Sequence, residues 1–367
     1  MTIRPIFILG GSGKAGMAIA RLLLERTTFP IVLGGRNIEH LDIAATALNA
    51  EFLINRVRIQ RVDARESDAL AEVLAGCKML IVAAPISTDA VTVGRAALRA
   101  KVDYLDLYVP WSGGGRLDVL AGDILTSKRV FLTQAGSHPG MIAPLMRYVA
   151  GQIGAAYRVN VAMYMNFSLE WTDTGIEFMN QLMEYEGRVF VDGAWQPAES
   201  HDYRKIDFGA PYGIHTSAPF VVDELIGLPE ELGLHRAGAY VAGFNWFVNY
   251  GVMPLGMVLA KIRRGLGAQA LGRLLYWGLR VFSSEPFGMV VLATGEGTKD
   301  GAPALFTLRV AHADPYVMTA APAVAAILQY LDGAIPAGLH LTGRAVDPSR
   351  FVRSLGHLGI TIEETTT

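Results

Sequence analysis

The chain has 367 residues, which is longer than one hydrophobic core usually organises, so two domains are expected. Hydrophobic residues make up 51% and charged residues 18%, a composition that supports large buried cores and excludes an intrinsically disordered chain. The formal net charge of -2, from 32 basic and 34 acidic residues, gives no reason to expect a nucleic-acid partner.

The cysteine and histidine content limits the covalent and metal chemistry. Cys77 is the only cysteine, so an intrachain disulfide or a cysteine-based metal site cannot form, and a reducing, cytoplasmic setting is expected. The eight histidines show no metal-ligand spacing, and no metal is predicted. The N-terminus has no apolar stretch followed by a small-residue cleavage site, so no signal peptide is expected.

Residues 1–135 alternate short apolar runs with segments of helical spacing. The apolar runs predict strands at 6–9, 30–34, 57–62, 79–84, 104–107 and 130–134. The spacing predicts helices at 14–25, 38–49, 67–74, 88–100 and 118–127. Strands separated by such helices predict an α/β fold, a Rossmann-type, doubly wound parallel sheet covered on both faces.

The pattern changes after about residue 151. Residues 158–166 alternate, 187–195 form a predicted hairpin around Asp192-Gly193, and 287–295 pairs with 304–311 through the turn at 299–301. A helix is predicted at 318–331, and a short helix and a last strand near the end of the chain. The sequence therefore predicts a second, α+β domain with a mainly antiparallel sheet. The expected boundaries are 1–153 with 316–367 for the Rossmann domain and 154–315 for the other.

An apolar stretch at 242–260 is followed by a basic one at 261–280. Polar and helix-breaking residues interrupt the first, so a buried helix is favoured over a membrane span. The second contains the cations Lys261, Arg263, Arg264, Arg273 and Arg280. It fits an ordinary amphipathic helix with a solvated basic face, and a basic interfacial helix in peripheral contact with a membrane is the less favoured alternative.

A glycine-rich turn joins the first predicted strand to the first predicted helix. It consists of Gly10, Gly11, Ser12, Gly13, Lys14, Ala15 and Gly16. In turns of this kind glycines allow the tight bend, the close approach of a pyrophosphate and the packing of helix on strand, while helix N-terminal amides hold the phosphates. The strand–turn–helix context predicts that these seven residues bind a dinucleotide, and the alternative is the same turn without a ligand.

The end of the second predicted strand indicates which dinucleotide binds. NAD sites usually place Asp or Glu here for the ribose 2′-hydroxyl, whereas this chain has Gly34, Gly35, Arg36 and Asn37. A guanidinium at Arg36 can pair with a 2′-phosphate, which predicts NADP as the cofactor. Asp63 is placed to approach the adenine, although it can also cap a helix. Ala84 and Pro85, after the fourth strand, are expected to border the same groove.

Several sequence blocks resemble one family in the same order. They are 10–16, 34–37, Val62-Asp63 with Leu70, 104–106, 136–140, 314–316 with Thr319-Ala320, and 347–359. These blocks are similar to those of the saccharopine dehydrogenase-like oxidoreductases, which include saccharopine reductase and carboxynorspermidine dehydrogenase. The resemblance implies a Rossmann domain, an α/β substrate domain and NAD(P)-dependent chemistry, which in many members concerns carbon–nitrogen bonds. It also implies a homodimer formed through the sheet of the second domain.

The 136–140 block departs from the family at one position. His138 stands where saccharopine reductase-like enzymes carry an aspartate, and a histidine can serve as an acid or base at neutral pH. Asp106 and Tyr108 follow the fifth strand and are further catalytic candidates. For all three residues the alternative is structural hydrogen bonding.

Three functions remain open from the sequence. The leading one is NADP(H)-dependent hydride transfer on an imine or secondary amine, with Arg204 and His215 as candidate substrate-binding residues of the second domain. The second is reduction of C=C or C=O in a bulky apolar, lipid-like substrate, suggested by the stretch at 242–282. The third is a non-catalytic NADP(H)-binding sensor, suggested by the missing aspartate at position 138.

Overall fold

The computed structural model describes residues 3–86, 88–109, 115–168, 179, 186–263 and 266–367. The chain divides into two units, each formed by two separate segments. The first unit comprises Met1–Met141 and Thr319–Asp347, and the second comprises Ile142–Met318 and Pro348–Thr367.

Strands and helices alternate in the N-terminal part of the first unit. The strands are β1 (Ile6–Leu9), β2 (Ile31–Gly35), β3 (Val57–Arg61), β4 (Met79–Val82), β5 (Asp103–Asp106) and β6 (Val130–Thr133). The helices are α1 (Lys14–Arg26), α2 (Ile38–Glu51), α3 (Ser67–Leu74), α4 (Ala90–Arg99) and α5 (Ala121–Thr126), the last preceded by a 3-10 turn at Leu117–Leu120. Each strand and helix predicted for this part is present. The strands β1, β4 and β5 are buried along their whole length, as is typical of the central strands of a parallel sheet.

The second unit is built mainly from strands. Its elements are α6 (Ile142–Gln152), β7 (Ala155–Asn166), β8 (Arg188–Val191), β9 (Ala194–Pro197), β10 (Arg204–Asp207), β11 (Ile214–Phe220), α7 (Leu228–Glu231), β12 (Arg236–Gly243), α8 (Met253–Ile262), α9 (Ala268–Phe282), β13 (Gly288–Lys299) and β14 (Ala302–His312). Short 3-10 turns lie at Ser200–Asp202 and Asp223–Leu225, and a π-helical turn lies at Val248–Val252. The predicted hairpins, β8 with β9 and β13 with β14, are both observed.

The C-terminal part of the chain contributes one segment to each unit. Its elements are α10 (Pro315–Leu331), β15 (Gly338–Leu341), α11 (Thr342–Ala345), α12 (Pro348–His357) and β16 (Thr361–Thr366). Within the first unit, Tyr330 of α10 donates a hydrogen bond of 2.6 Å to the buried carboxylate of Asp103 at the start of β5. This bond ties α10 to the sheet by a polar contact that no apolar pattern in the sequence could indicate.

The first sheet is parallel and has the order β15-β6-β5-β4-β1-β2-β3. The strand order reverses between β1 and β4, where Leu9 pairs with Val82 and, on the other side, with Gly34. In open α/β sheets such a reversal opens a crevice at the carboxyl ends of the strands, where ligands bind. The predicted Rossmann arrangement is confirmed, and β15 adds an edge strand beyond β6 that the sequence did not predict.

The second sheet is mixed and mostly antiparallel, with the order β10-β11-β12-β7-β13-β14-β16. β8 pairs with β12 and β9, and the one parallel pair on the main path joins β12 to β7. The predicted fold class, a Rossmann sheet with a mainly antiparallel second domain, is confirmed. β10, β11 and β12 were not predicted, because their short, mixed polar and apolar sequences carry weak periodicity.

The ends of the units differ from the predicted boundaries. β16 pairs with β14, from Phe306 opposite Thr366 to Ala311 opposite Thr361, so the last residues of the chain belong to the second sheet and not to the Rossmann unit. α6 also joins the second unit, since it packs closely on β13. A Cβ placed on Gly295 of β13 would come within 2.6 Å of Val149 in this helix.

The prediction of a buried helix over 242–260 is wrong. β12 ends at Gly243, and α8, which begins only at Met253, exposes most of its apolar side chains to solvent. Hydropathy predicts burial only when another element covers the segment, and the sequence does not show whether one does. α9 is amphipathic as expected, with Leu271, Leu275 and Leu279 buried, whereas Arg264 lies outside the described residues. In the described part of the chain, no helix has the length and apolar character needed to span a membrane.

Candidate functional site

The glycine turn after β1 is shaped by close backbone contacts. Gly10 has a φ of 79°, which only glycine adopts without strain, and a Cβ there would lie 2.7 Å from the carbonyl oxygen of Ala83 after β4. A Cβ on Gly16 would lie 2.3 Å from the carbonyl oxygen of Gly10. The first turn of α1 therefore closes tightly over the ends of β1 and β4, at the reversal of strand order.

The first turn of α1 is also open to an anion. Gly13 is the N-terminal cap and provides no side-chain hydrogen bond, and no acidic residue lies in the first turn. The Ser12 and Lys14 side chains are not buried. Helix N-terminal amides without a side-chain acceptor carry partial positive charge and bind phosphate groups. The cradle therefore fits the pyrophosphate of a dinucleotide, as the sequence predicted.

A substitution tests this cradle. Gly16→Ala is expected to destabilise the fold by about 1–3 kcal/mol and to weaken NADPH binding, because its Cβ must displace the backbone of Gly10. Gly122→Ala in α5 is a matched control, since a Cβ there meets nothing within 4 Å. Chemical denaturation and NADPH fluorescence titration of both variants provide the measurement. Equal behaviour of the two variants would contradict the proposed packing.

The carboxyl ends of β2 and β3 form a basic corner. Arg36 follows β2 directly and is exposed, and Gly35 pairs with Arg61 at the end of β3. Asp63 accepts a bidentate ion pair from Arg65, with Arg65 Nη2 at 2.5 Å, and this pair lowers the pKa of the Asp63 carboxyl to about 2, with a smaller contribution from Arg36. Asp63 is therefore ionised at neutral pH and held by Arg65.

Asn37 has a local structural role at this corner. Its Oδ1 accepts hydrogen bonds from the backbone amides of Glu39 at 3.0 Å and His40 at 3.1 Å, which caps α2. Ala84 is partly buried and Pro85 is exposed, and both follow β4 next to the Gly10 turn. Of the residues predicted at the adenosine end, Arg36 is thus the one whose charge faces solvent beside the strand ends.

Asp106, at the end of β5, is completely buried and accepts four hydrogen bonds. Its donors are the Tyr104 hydroxyl at 2.9 Å, the Thr133 hydroxyl at 2.8 Å, and the backbone amides of Gln134 at 2.9 Å and Tyr108 at 3.2 Å. Burial raises the pKa of its carboxyl to about 6, although the hydrogen bonds act in the opposite direction. With both oxygens engaged inside the protein, Asp106 positions the chain after β5 and after β6. These hydrogen bonds give Asp106 a structural function, and its predicted catalytic role stays a prediction.

His138 lies in the tight 136–140 turn after β6. The amide of Gly136 donates to the carbonyl of Pro139 at 3.0 Å, and Gly140 has a φ of 119° in a space where a Cβ would meet the Gln134 carbonyl at 2.5 Å. The imidazole Nδ1 lies 3.3 Å from the Ser137 hydroxyl, and burial lowers the pKa of His138 to about 4. The ring is therefore neutral at physiological pH, and in this form it can accept a proton.

Tyr108, the third catalytic candidate, is partly buried, and its backbone amide is held by Asp106. The residues that follow it, 110–114, lie outside the described part of the chain. In the first unit, β5 and β6 thus bring Asp106, the start of the Tyr108 segment and the 136–140 turn to the same edge of the sheet. Asp106 links these two segments.

Arg204 and His215 belong to the second unit and have local partners there. The Arg204 guanidinium lies over the ring of Tyr240, 5.1 Å from its centroid. The His215 ring stacks on Tyr164 at 4.3 Å, and its Nε2 lies 2.8 Å from the carbonyl oxygen of Tyr212. These contacts give both side chains a structural function, and their predicted role in substrate binding stays a prediction.

The nucleotide half of the chain matches a known sequence family. Residues 6–128 match the family described as "Saccharopine dehydrogenase NADP binding domain". Residues 6–128 are therefore similar to the NADP-binding domain of the saccharopine dehydrogenases. The resemblance seen in the sequence blocks is thereby confirmed, and so is NADP as the cofactor that Arg36 predicted. The cradle and the basic corner described above fit this cofactor.

Solved structures extend the likeness over the whole chain. Saccharopine dehydrogenase (L-Glu forming) from Saccharomyces cerevisiae is 15% identical with a TM-score of 0.70, over 99% of this chain and 100% of that one. Amine dehydrogenase from Mycobacterium smegmatis is 13% identical with a TM-score of 0.50, over 94% and 96%. At these identities the likeness establishes the fold. A comparison with curated protein sequences gave no match.

The saccharopine dehydrogenase-type domain supports an oxidoreductase and leaves its substrate open. Sequence reasoning missed three residues that build the site: Arg65, Thr133 and Gln134. Arg65 was visible as a charge two residues after Asp63. Thr133 and Gln134 reach Asp106 across 27 and 28 residues of chain, so no local pattern indicates the contact.

The pKa shifts of Asp106 and His138 predict opposite effects on stability. The folded chain keeps the Asp106 proton up to about pH 6, whereas an ordinary Asp has a pKa of 3.8. The stabilisation of the folded state by this proton is therefore complete below about pH 4 and is lost as the pH rises to about 6. For His138 the folded pKa is about 4 and the ordinary value 6.5, so its contribution is present above about pH 6.5 and lost as pH falls to 4.

Asp106→Asn should therefore change the pH dependence of the unfolding free energy while leaving the fold intact. The amide can keep all four hydrogen bonds, because the Tyr104 hydroxyl can turn to accept from its nitrogen. Relative to the unchanged chain, the variant gains about 2–3 kcal/mol of unfolding free energy between about pH 4 and 6. Urea denaturation across this range measures the effect, with the exposed Asp123→Asn as control. A parallel pH dependence of all three proteins would contradict it.

Proposed function

We propose that this chain is an NADP(H)-dependent oxidoreductase that transfers hydride to or from the carbon of an imine or secondary amine. The supporting observation lies within the first unit. The glycine turn after β1, Arg36 after β2 and the 136–140 turn after β6 all follow the carboxyl ends of strands in one parallel sheet. The bound nicotinamide supplies the hydride chemistry, and the chain supplies binding and a proton path.

The choice of a carbon–nitrogen bond rests on the family and on one side chain. Many members of the family act on such bonds, and one structure of the same fold carries the name amine dehydrogenase. Oxidation of a secondary amine requires a group that accepts the nitrogen-bound proton. The His138 imidazole is neutral at physiological pH and can take that proton at Nε2, since its Nδ1 lies beside the Ser137 hydroxyl. In the reverse direction the same group returns it.

The arginine after β2 accounts for the cofactor's phosphate. Arg36 is exposed and carries a permanent charge whose planar donors suit a phosphate. The Asp63 carboxylate nearby is already neutralised by Arg65, so it does not repel a dianion at this corner. The proposed roles are thus divided: Arg36 selects the cofactor, and His138 serves the reaction.

A paired assay tests the proposal. NADPH oxidation is followed with mixtures of an amino acid and an oxo acid or aldehyde, which form imines in solution, and NADP⁺ reduction is followed with the corresponding secondary amines. Turnover in either direction on carbon–nitrogen substrates, absent with simple ketones and enoyl esters, is the expected result. Tight NADPH binding with no turnover on any panel member would instead indicate the sensor function.

A bulky apolar substrate is the second candidate function. The observation that favours it is the exposure of apolar side chains on α8, such as Val258 and Ile262, which a lipid-like molecule could approach. Reduction of C=C or C=O in such a substrate uses the same cofactor cradle. Turnover restricted to the enoyl or ketone members of the panel would decide for it.

Assembly and location stay predictions. A homodimer and a cytoplasmic setting were expected from the resemblance and from the single cysteine, Cys77, which is buried. Sedimentation analysis of the full chain tests the homodimer directly.

A further inference from the structure

An exposed apolar surface lies on the second unit, on α8, α9 and the segment before them. We call it the apolar face. It consists of Trp246, Tyr250, Leu255, Met257, Val258, Ile262, Trp277 and Val281, each of which is at least 47% exposed. Contiguous exposed apolar surface of this kind is rare on a monomeric protein and marks an interaction site.

α8 is unusual because it is apolar but hardly buried. Val258 is 57% exposed and Ile262 is 71% exposed, while Gly256 is the buried position among the described residues of the helix. A helix that is apolar on several faces is ordinarily covered by protein or by lipid. Nothing in the described part of the chain covers α8.

Aromatic side chains hold the apolar face in a fixed shape. Trp246 and Phe247 pack against Phe282 with ring centroids 5.1 Å apart in both pairs, and Trp277 packs against Phe247 and Phe282 at 5.4 Å. Trp246 and Trp277 are nevertheless 62% and 50% exposed. Tryptophans held with half of the ring in solvent are characteristic of surfaces that sit at the headgroup level of a bilayer.

The charged residues of the chain segment that carries the apolar face are all basic. No Asp or Glu occurs between Glu231 and Glu285, although the whole chain has a net charge of -2. Exposed cations flank the apolar residues at Lys261, Arg263, Arg273 and Arg280. On α9, Arg273, Trp277 and Arg280 are spaced at i, i+4 and i+7, so that cations and an aromatic ring share one exposed stripe.

We propose that the apolar face binds the surface of an anionic lipid bilayer, as a peripheral contact. Apolar side chains enter the headgroup region, and the surrounding cations pair with lipid phosphates. A second copy of the chain fits less well, because a two-fold contact through this face would bring together two copies of a segment whose charged residues are all basic. This proposal is independent of the substrate on which the enzyme acts.

Vesicle sedimentation of the full chain tests the proposal. The probes are phosphatidylcholine vesicles with and without phosphatidylglycerol, at low and high salt. We expect sedimentation with the anionic vesicles, little with the neutral ones, and release at high salt, because screening weakens the ionic part of binding. No sedimentation with anionic vesicles at low salt would overturn the proposal.

Two paired variants separate the apolar and ionic contributions. Val258→Gln with Ile262→Gln removes apolar surface, and we expect vesicle binding to be lost. The control, Ile43→Gln with Leu125→Gln, changes two exposed apolar residues on α2 and α5, at 68% and 61% exposure, and should bind like the unchanged chain. Glutamine is tolerated in helices, so neither variant should unfold, which circular dichroism verifies.

Removal of positive charge should weaken binding in steps. Arg273→Gln with Arg280→Gln is expected to reduce partitioning to anionic vesicles by about five-fold for each charge removed. The control, Arg58→Gln with Lys299→Gln, removes two exposed cations elsewhere and should have no comparable effect. Equal loss in both pairs would indicate a response to net charge alone and would overturn the assignment to this face. A dimer that dissociates when Val258 and Ile262 are changed would overturn it in favour of a second copy.

Discussion

Arg36→Asp should weaken NADPH binding by about 100-fold or more, because the change removes charge-assisted hydrogen bonds and adds a repulsion. Arg36 follows β2 at the basic corner, where its guanidinium is exposed and the nearby Asp63 is neutralised by Arg65. NADH has no 2′-phosphate, so its affinity should be unchanged or improved, since an acid at this position can accept from the ribose hydroxyl. Fluorescence titration with both cofactors measures the change in preference.

Arg58 provides the matched control for this substitution. It is also an exposed arginine, on β3, but it lies opposite Val32 within the sheet and not at the strand ends. Arg58→Asp is expected to leave the ratio of NADPH to NADH affinity unchanged. Equal losses in the two variants would mean that Arg36 contributes only general charge, and the assignment of the phosphate to it would be wrong.

His138→Asn should lower kcat by about 10²- to 10⁴-fold while leaving NADPH affinity within error of the unchanged enzyme. Asparagine retains a polar side chain in the 136–140 turn but cannot exchange a proton at neutral pH. Because the pKa of His138 is about 4, the unchanged enzyme should oxidise amines at a rate that is independent of this group at neutral pH and falls as pH approaches 4. The variant should lack this acidic limb.

His40→Asn on the exposed surface of α2 is the corresponding control and should retain full activity. The two measurements separate catalysis from structure. A structural role for His138 would appear as a lower unfolding free energy with kcat little changed, and the pH profile would keep its shape. That outcome would mean that a group other than His138 transfers the proton.

The nucleotide half could be predicted from sequence because its determinants are local. Gly10, Gly16 and Arg36 lie within one βαβ unit, where strand, turn and helix follow each other in the order that the cofactor requires. The hydrophobic spacing gave the six strands of this half, and the absence of an acid after β2 gave the cofactor. β15 could not be predicted, because it is a four-residue edge strand whose pairing with β6 depends on residues more than 200 positions away.

The candidate catalytic residues depended on long-range contacts. Asp106 was one of several acids in the sequence, and two of its four hydrogen bonds come from β6 and the residue that follows it. Its burial and raised pKa are consequences of that packing, and no pattern around position 106 indicates them. The same limit applies to α8, where hydropathy predicted burial but the folded chain leaves Leu255 and Val258 in solvent.

The most direct test of the account follows the hydride itself. NADPH carrying deuterium at the transferable position of the nicotinamide is incubated with the enzyme and an imine substrate identified in the panel, and the product is analysed by mass spectrometry and NMR. We predict one deuterium on the carbon bonded to nitrogen. The His40→Asn control should transfer deuterium as fast as the unchanged enzyme, and His138→Asn should transfer almost none in the same time. Deuterium on a carbon that bears no nitrogen, or its retention in the cofactor with every substrate, would contradict the account.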